Sequence, residues 1–374
     1  MIYLDNAATS FPKPACVVEA MASALAQSGA NPGRAGHRLA LAAGRIVEDC
    51  REAIAELLGE LDATRVAFAA NTTDALNMAI HGVLRPGDHA VSTLIEHNSV
   101  LRPLSELARS GSIALTLVPP DASGMIHAQD IAQALTPRTR LVVMTHMSNV
   151  LGVEQNVAAV GALCRARGVL FLVDAAQTAG HLPLTPARWG CSMLALPGHK
   201  GLLGPHGTGA LWVAPGVSLA PMRQGGTGSA SESMFQPRMM PDLLESGTLN
   251  LPGIAGLRAG MRVACAHREE TQKNAVALCN EMREALLNLP GVRVYTPEGA
   301  SLTTFNIEGI ASQEVAAALD EAGIAVRGGL HCAPGVHRCL GTLETGAVRV
   351  SPGLTSTRQD AVRLIEAGAR LARG

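Results

Sequence analysis

Lys200 ends the triplet Gly198-His199-Lys200, which follows the apolar segment Met193-Leu194-Ala195-Leu196, and Asp174 follows the apolar run Val169-Leu170-Phe171-Leu172-Val173. A third segment, Thr72-Thr73-Asp74, has the residue types that open a helix. Together they offer an amine and a carboxylate at strand ends and a set of free N–H groups at a helix start. Those groups suit an aldehyde cofactor carried on a lysine, with a ring nitrogen held protonated by the carboxylate and a phosphate on the helix N-terminus. Taken singly, a lysine is usually a solvated charge and an aspartate after a strand a turn residue, so the inference rests on the set. A further candidate is Cys332, in the glycine-flanked stretch Gly328-Gly329-Leu330-His331-Cys332, where a thiolate could act as a nucleophile. His331, Cys332, His337 and Cys339 are also a compact group of metal-capable side chains, but their spacing matches no standard zinc pattern and no metal is expected.

The elements that must position these residues alternate. Residues 141–144 read as a buried strand, Val157–Arg167 as a helix closed by Gly168, and 169–173 as the next strand, which makes one β-α-β unit. The helix opened at Thr72 carries Leu76, Ile80, Val83 and Leu84 inward and ends at Pro86-Gly87. Gly209-Ala210-Leu211-Trp212-Val213 reads as a return strand after the lysine turn. This pattern predicts a mainly parallel sheet covered by helices, an α/β architecture. The stretch 224–231, rich in glycine and serine, is expected to be a mobile loop inside that unit. From about residue 255 a long helical pattern precedes Val292-Arg293-Val294-Tyr295, Thr303-Thr304-Phe305-Asn306-Ile307 and a helix over 313–322, which predicts a smaller α+β domain.

Bulk properties narrow the function. The 374 residues carry 30 lysines and arginines against 31 aspartates and glutamates, for a net charge of −1, with no basic block to track a phosphate backbone. Aromatic residues make up 2% of the chain, so stacking platforms for bases are scarce and nucleic acid is not an expected partner. No apolar stretch is long enough for a membrane span, and Met1-Ile2-Tyr3-Leu4-Asp5-Asn6 lacks the features of a secretory leader, so a cytoplasmic location is expected and a membrane partner is not. The eight cysteines are scattered without a C-x-x-C pair, as befits reduced thiols.

The ordered motifs Tyr3-Leu4-Asp5-Asn6-Ala7-Ala8-Thr9, Asn71-Thr72-Thr73-Asp74-Ala75-Leu76-Asn77, Glu96-His97-Asn98, Ser148-Asn149-Val150-Leu151-Gly152, Val173-Asp174-Ala175-Ala176-Gln177, Gly198-His199-Lys200, Ser246-Gly247-Thr248 and Arg327-Gly328-Gly329-Leu330-His331-Cys332-Ala333 span nearly the whole chain. In that order they resemble the class V aminotransferase-fold enzymes that use pyridoxal 5′-phosphate (PLP), and among them the cysteine desulfurases and selenocysteine lyases of the sulfur-mobilisation type. The resemblance implies PLP fold type I, with a large PLP-binding domain over residues 16–254 and a small α+β domain over 255–374 completed by residues 1–15.

It also implies roles. Lys200 is then the Schiff-base lysine and proton shuttle, and Asp174 the partner of the ring nitrogen. His97 stacks on the ring, Gln177 bonds its phenolic oxygen, and Asn149 faces that oxygen or the substrate carboxylate. Thr72, Thr73 and His199 hold the phosphate, Arg349 clamps the α-carboxylate of the substrate, and Thr248 is lent to the phosphate of a neighbouring subunit in a homodimer. Pro197 departs from the pattern, since a hydroxyl residue that contacts the phosphate often stands there.

Cys332 would attack the sulfur of L-cysteine, releasing L-alanine and keeping the sulfur as a persulfide for an unidentified acceptor protein. Cys339 is expected to pack, or less readily to serve as a second sulfur carrier. The alternatives are a selenocysteine lyase acting on L-selenocysteine, with a selenium acceptor, and another enzyme of the same scaffold: an aminotransferase, epimerase or lyase in which Cys332 is incidental.

Overall fold

The computed structural model describes residues 1–32 and 36–373. Its centre is a seven-stranded sheet in the order 66–69, 209–213, 193–197, 170–174, 139–145, 89–93, 114–118, in which only the 209–213 strand runs antiparallel to its neighbours. The central strands are buried on both faces, as covering helices require of a parallel sheet: all five residues of Met193–Pro197 and the last four of Leu170–Asp174 are buried. Leu196, Val173, Val142 and Phe171 pack on one face, and Leu172, Val143, Met193 and Ala195 on the other.

Local chemistry explains the elements around the sheet. Thr72–Val83 is capped by Asn71, whose side-chain oxygen accepts from the Asp74 N–H at 2.9 Å. Val157–Arg167 stops where Gly168 takes φ +65, a conformation in which a side chain would be strained. The strand predicted over 169–173 is shifted by one residue, to Leu170–Asp174, so Asp174 itself belongs to the sheet. The stretch 224–231 forms no helix or strand.

The C-terminal part builds a four-stranded antiparallel sheet in the order 327–329, 347–350, 303–307, 292–294, backed by Ser312–Glu321 and Arg358–Leu371. The N-terminal strand Ile2–Tyr3 pairs in parallel with Ile324–Ala325, so the first residues lie against this sheet. The long helix begins at Leu251, four residues before the periodicity placed it, because Asn250 caps it by accepting from the Gly253 N–H. It runs unbroken to Leu287, with Leu251, Ile254, Leu257 and Met261 in the core under the large sheet and Leu278, Cys279, Met282 and Leu286 in the core of the small one. The division expected at residue 255 therefore falls about one turn inside a continuous helix. Among the described residues no helix is long and apolar enough to cross a membrane.

Candidate active site

A cavity of about 210 Å3 opens at the carboxyl ends of the central strands, where open α/β sheets bind ligands. Lys200, Asp174, His97, Asn149, Gln177, Thr72, Thr73, His199, Arg349 and Cys332 all line it. Ten positions chosen from the sequence thus converge on one space. Thr248 does not: it is exposed and belongs to a separate surface hollow with Arg223, Glu245 and Asn250. Pro197 is buried in its strand and does not line the cavity, so it offers no contact there.

The sheet register brings amine and carboxylate together. Asp174 pairs with Ala195 on the neighbouring strand, and Lys200 follows that strand by three residues. The intervening turn needs its glycines: a Cβ on Gly198 would lie 2.1 Å from Thr208 Oγ1, and one on Gly201 2.4 Å from the carbonyl of Ala179. The first residues of the chain clamp the same turn, because the Ser10 N–H (3.1 Å) and the Lys13 ammonium (2.7 Å) both donate to the carbonyl of His199. Burial lowers the Lys200 amine to about 8; Asp174 opposes this, while Arg349 and Arg327 add to it. An appreciable fraction is therefore uncharged near neutral pH and able to act as a nucleophile. Burial raises Asp174, against the opposing pull of the Ala176 N–H at 2.8 Å and of Lys200. A cationic partner in the cavity would return it to the ionised form.

His97 caps the helix Asn98–Arg109, its Nδ1 accepting from the Ser99 N–H at 3.1 Å. An acceptor nitrogen carries no proton, so the ring hydrogen sits on Nε2. Burial, then Lys200, lowers the imidazole to about 4, which keeps it a neutral plate. His199 is likewise lowered to about 4 by burial and Lys200. Thr73 Oγ1 lies 2.7 Å from Ser99 Oγ, tying the start of the Thr72 helix to the His97 turn.

Arg349 is 2% exposed and held on two sides: Nη2 donates to Asp5 at 2.9 Å and Nη1 to the Asn149 carbonyl at 3.1 Å. Its Nε is buried and has no partner among the described residues. A buried guanidinium with Nε unspent and a second hydrogen left on each Nη has the makings of a carboxylate clamp. Asn149 also donates from Nδ2 to the His331 carbonyl at 2.7 Å, and Gln177 donates to the Ala7 carbonyl at 3.1 Å. Each primary amide keeps a second hydrogen for a ligand. Cys332 is exposed, both to this cavity and to an outer groove lined by Asn77, His81 and Arg102.

Several contributors received no role from the sequence. Asp5 and Arg327, both inside quoted motifs, prove to orient Arg349 and to add a second guanidinium to the cavity. Ser99, Thr145 and Met147 complete the wall. Glu96, one residue before His97, is fully buried; its Oε1 accepts from Thr93 Oγ1 at 2.6 Å and from the Thr145 N–H at 3.0 Å, while Oε2 has no partner among the described residues. Burial raises it to about 8, with nearby Asp174 pushing the same way. A carboxyl more acidic unfolded than folded stabilises the fold below its unfolded value and loses that contribution as pH rises through the folded one. Glu96 therefore adds a downward slope to the thermal unfolding midpoint across about pH 5 to 8, opposed in the acid part of that range by the lowered His97 and His199. Glu96→Gln, which keeps the acceptor and cannot ionise, should flatten that slope; parallel curves for parent and variant would refute the neutral assignment.

The residues fit PLP on the chain's own evidence: a lysine amine and a buried carboxylate face one cavity beside a capped helix start, and an unpaired guanidinium nitrogen is left for a substrate. The class V aminotransferase model matches residues 2–364, and the chain belongs to that family, with the architecture of PLP fold type I. The chain is 35% identical to a protein named probable cysteine desulfurase from Methanothermobacter thermautotrophicus, over 96% of this chain and 92% of the relative. It is 33% identical to another of the same name from Pseudomonas putida, over 98% and 92%. Among solved structures, an apo cysteine desulfurase from Thermococcus onnurineus superposes with a TM-score of 0.92 at 32% identity, covering 100% of this chain and 95% of the other. The cysteine desulfurase CsdA from Escherichia coli superposes at 0.91 and 29% identity, covering 99% and 94%.

Proposed function

We propose that this protein is a PLP-dependent cysteine desulfurase in which Cys332 takes the sulfur of L-cysteine. The observation that carries the reading is the convergence of Lys200, Asp174, Arg349 and Cys332 on one cavity. When bound, PLP supplies an electron sink that stabilises negative charge at the substrate Cα. Asp174 would hold the ring nitrogen, Thr72, Thr73 and His199 the phosphate, Gln177 the phenolic oxygen, and His97 would cover the ring as a neutral plate. Lys200 would provide the covalent attachment, and its amine would carry the substrate Cα proton. Arg349 would bind the substrate carboxylate through its unspent N–H groups, with Asn149 beside it.

Cys332 then attacks the substrate sulfur as a thiolate. The S–S bond forms as the Cβ–S bond breaks, the electron pair stays with the carbon skeleton, and protons complete L-alanine. One cysteine and one enzyme thiol give one alanine and one persulfide, so no outside oxidant or reductant is needed. The sulfur passes afterwards to an acceptor protein that reaches the exposed side of Cys332. The exposure of Thr248, away from the cavity of its own chain, supports a homodimer in which it serves the neighbouring phosphate site.

Arg349→Ala tests the substrate half of this reading. The variant should keep the absorbance of bound PLP and lose about 10- to 100-fold in kcat/KM for cysteine, the worth of one or two charge-assisted hydrogen bonds. Arg349→Lys should restore only part, since a point charge replaces a planar fork. Unchanged steady-state kinetics in the alanine variant would remove Arg349 from the site. Alanine measured in parallel from cysteine and selenocysteine separates desulfurase from lyase.

A further inference from the structure

His331 and Cys332 both stand in the left-handed region, at φ +52 and +54, where residues with side chains are uncommon. Two such residues in succession persist only where their surroundings hold them. Backbone contacts supply part of the hold: the Asn98 N–H donates to the Cys332 carbonyl at 2.7 Å, and Asn149 donates to the carbonyl of His331. The helix Pro334–Leu340 that follows is pressed onto the His97 turn, because a Cβ on Gly335 would lie 2.1 Å from the Leu94 carbonyl.

The rest of the hold is a polar chain with a single possible direction. His331 Nε2 lies 3.1 Å from the Arg327 carbonyl, which only accepts, so Nε2 carries the hydrogen. His331 Nδ1 is then an acceptor, and His337 Nε2, 3.3 Å away, must donate to it. His337 Nδ1 in turn accepts from Thr342 Oγ1 at 2.8 Å. Burial lowers His331 to about 3 and His337 to about 4, in keeping with two neutral rings. The ring planes lie 24° from parallel with centres 5.5 Å apart, which with the 3.3 Å nitrogen contact sets the rings edge to edge, and both residues are buried, His337 completely. Every nitrogen of the pair is committed, which leaves none to take a proton from the adjacent thiol.

We propose that His337, acting through His331, is the positioning residue that holds the left-handed His331–Cys332 turn and presents the Cys332 thiol to the cavity, and that neither imidazole is the base for that thiol. The desulfurase reading enters only in the use made of the thiol. Loss of the strut lets the turn relax toward ordinary backbone conformations and moves Cys332 off its line of attack, without disturbing Lys200, Asp174 or Arg349.

His337→Ala should lower kcat for alanine formation about 10- to 100-fold, the scale of a misplacement near 1 Å, with KM and the absorbance of bound PLP unchanged. Amide hydrogen exchange across residues 330–333 should rise in the same variant. His337→Gln, whose amide can donate to His331 Nδ1, should recover most of both. Thr342→Val removes only the terminal donor and should shift exchange in the same direction, which keeps the test alive if the alanine variant does not fold. Iodoacetamide alkylation of Cys332, followed by peptide mass, should titrate with one midpoint in the parent and in His337→Gln. A midpoint moved by that substitution would make the pair the base and overturn the proposal, as would parent-like exchange and kcat in His337→Ala. Exchange and alkylation need no turnover, so they decide the point even if the parent makes no alanine from cysteine, an outcome that would sink the desulfurase reading alone.

Discussion

Lys200→Ala should abolish the bond between protein and cofactor that borohydride reduction traps, and with it all turnover. The expectation follows from position: Lys200 is the lysine that lines the cavity, at the end of a strand adjacent to Asp174, and its amine is lowered to about 8 by burial. A lysine in free solution, at about 10.4, would be almost wholly protonated near neutral pH and a poor nucleophile toward an aldehyde. PLP should still bind non-covalently to the variant, since Asp174 and the Thr72–Val83 helix start are untouched, but far more weakly. Mass spectrometry of the reduced parent checks the site. A PLP adduct on Lys13 or Lys273 in place of Lys200 would refute the assignment.

Cys332→Ser separates binding from chemistry. The serine variant should keep PLP, keep Lys200 reactive and bind cysteine with near-parent KM, because Arg349, Asn149 and Asp174 do not depend on the sulfur for their contacts. Alanine formation from cysteine should fall by a factor on the order of 100 or more, since a hydroxyl stays protonated where a thiol ionises, and losing a catalytic nucleophile can cost up to about 10^6 in kcat. Selenium is the better leaving group, so alanine formation from selenocysteine should fall less. Parent-rate alanine from cysteine in the variant would make Cys332 structural and remove the proposed sulfur transfer.

Much of this site was legible because its residues lie at the ends of strongly patterned elements. Asp174 and Lys200 follow apolar runs that could only be buried strands, and Asn71-Thr72-Thr73 opens a helix whose cap is local. Asp5 was not legible in that way. Its contact with Arg349 spans 344 positions and depends on the short Ile2–Tyr3 strand joining Ile324–Ala325, a pairing that no periodicity over two residues can announce. The tautomers of His331 and His337 were likewise hidden, because they follow from which carbonyl and hydroxyl the fold brings to each nitrogen. Glu96 sits inside a quoted motif, yet its neutral state comes from complete burial against Thr93 and Thr145, which composition alone does not convey. The early start of the long helix was hidden because it rests on the Asn250 side chain accepting from the Gly253 N–H. Within that helix, Gly256 and Gly260 allow close approach to Met21 and to the Leu202 carbonyl, each of which would lie 2.7 Å from an added Cβ.

The most direct test of the central claim is a single turnover of the PLP-loaded parent with L-cysteine, quenched and divided between amino-acid analysis and peptide mapping. The account predicts one alanine per active site together with the mass of one added sulfur atom on the peptide that carries Cys332, and none on those that carry Cys339 or Cys265. Alanine without sulfur on Cys332, or sulfur first appearing on another cysteine, would contradict it.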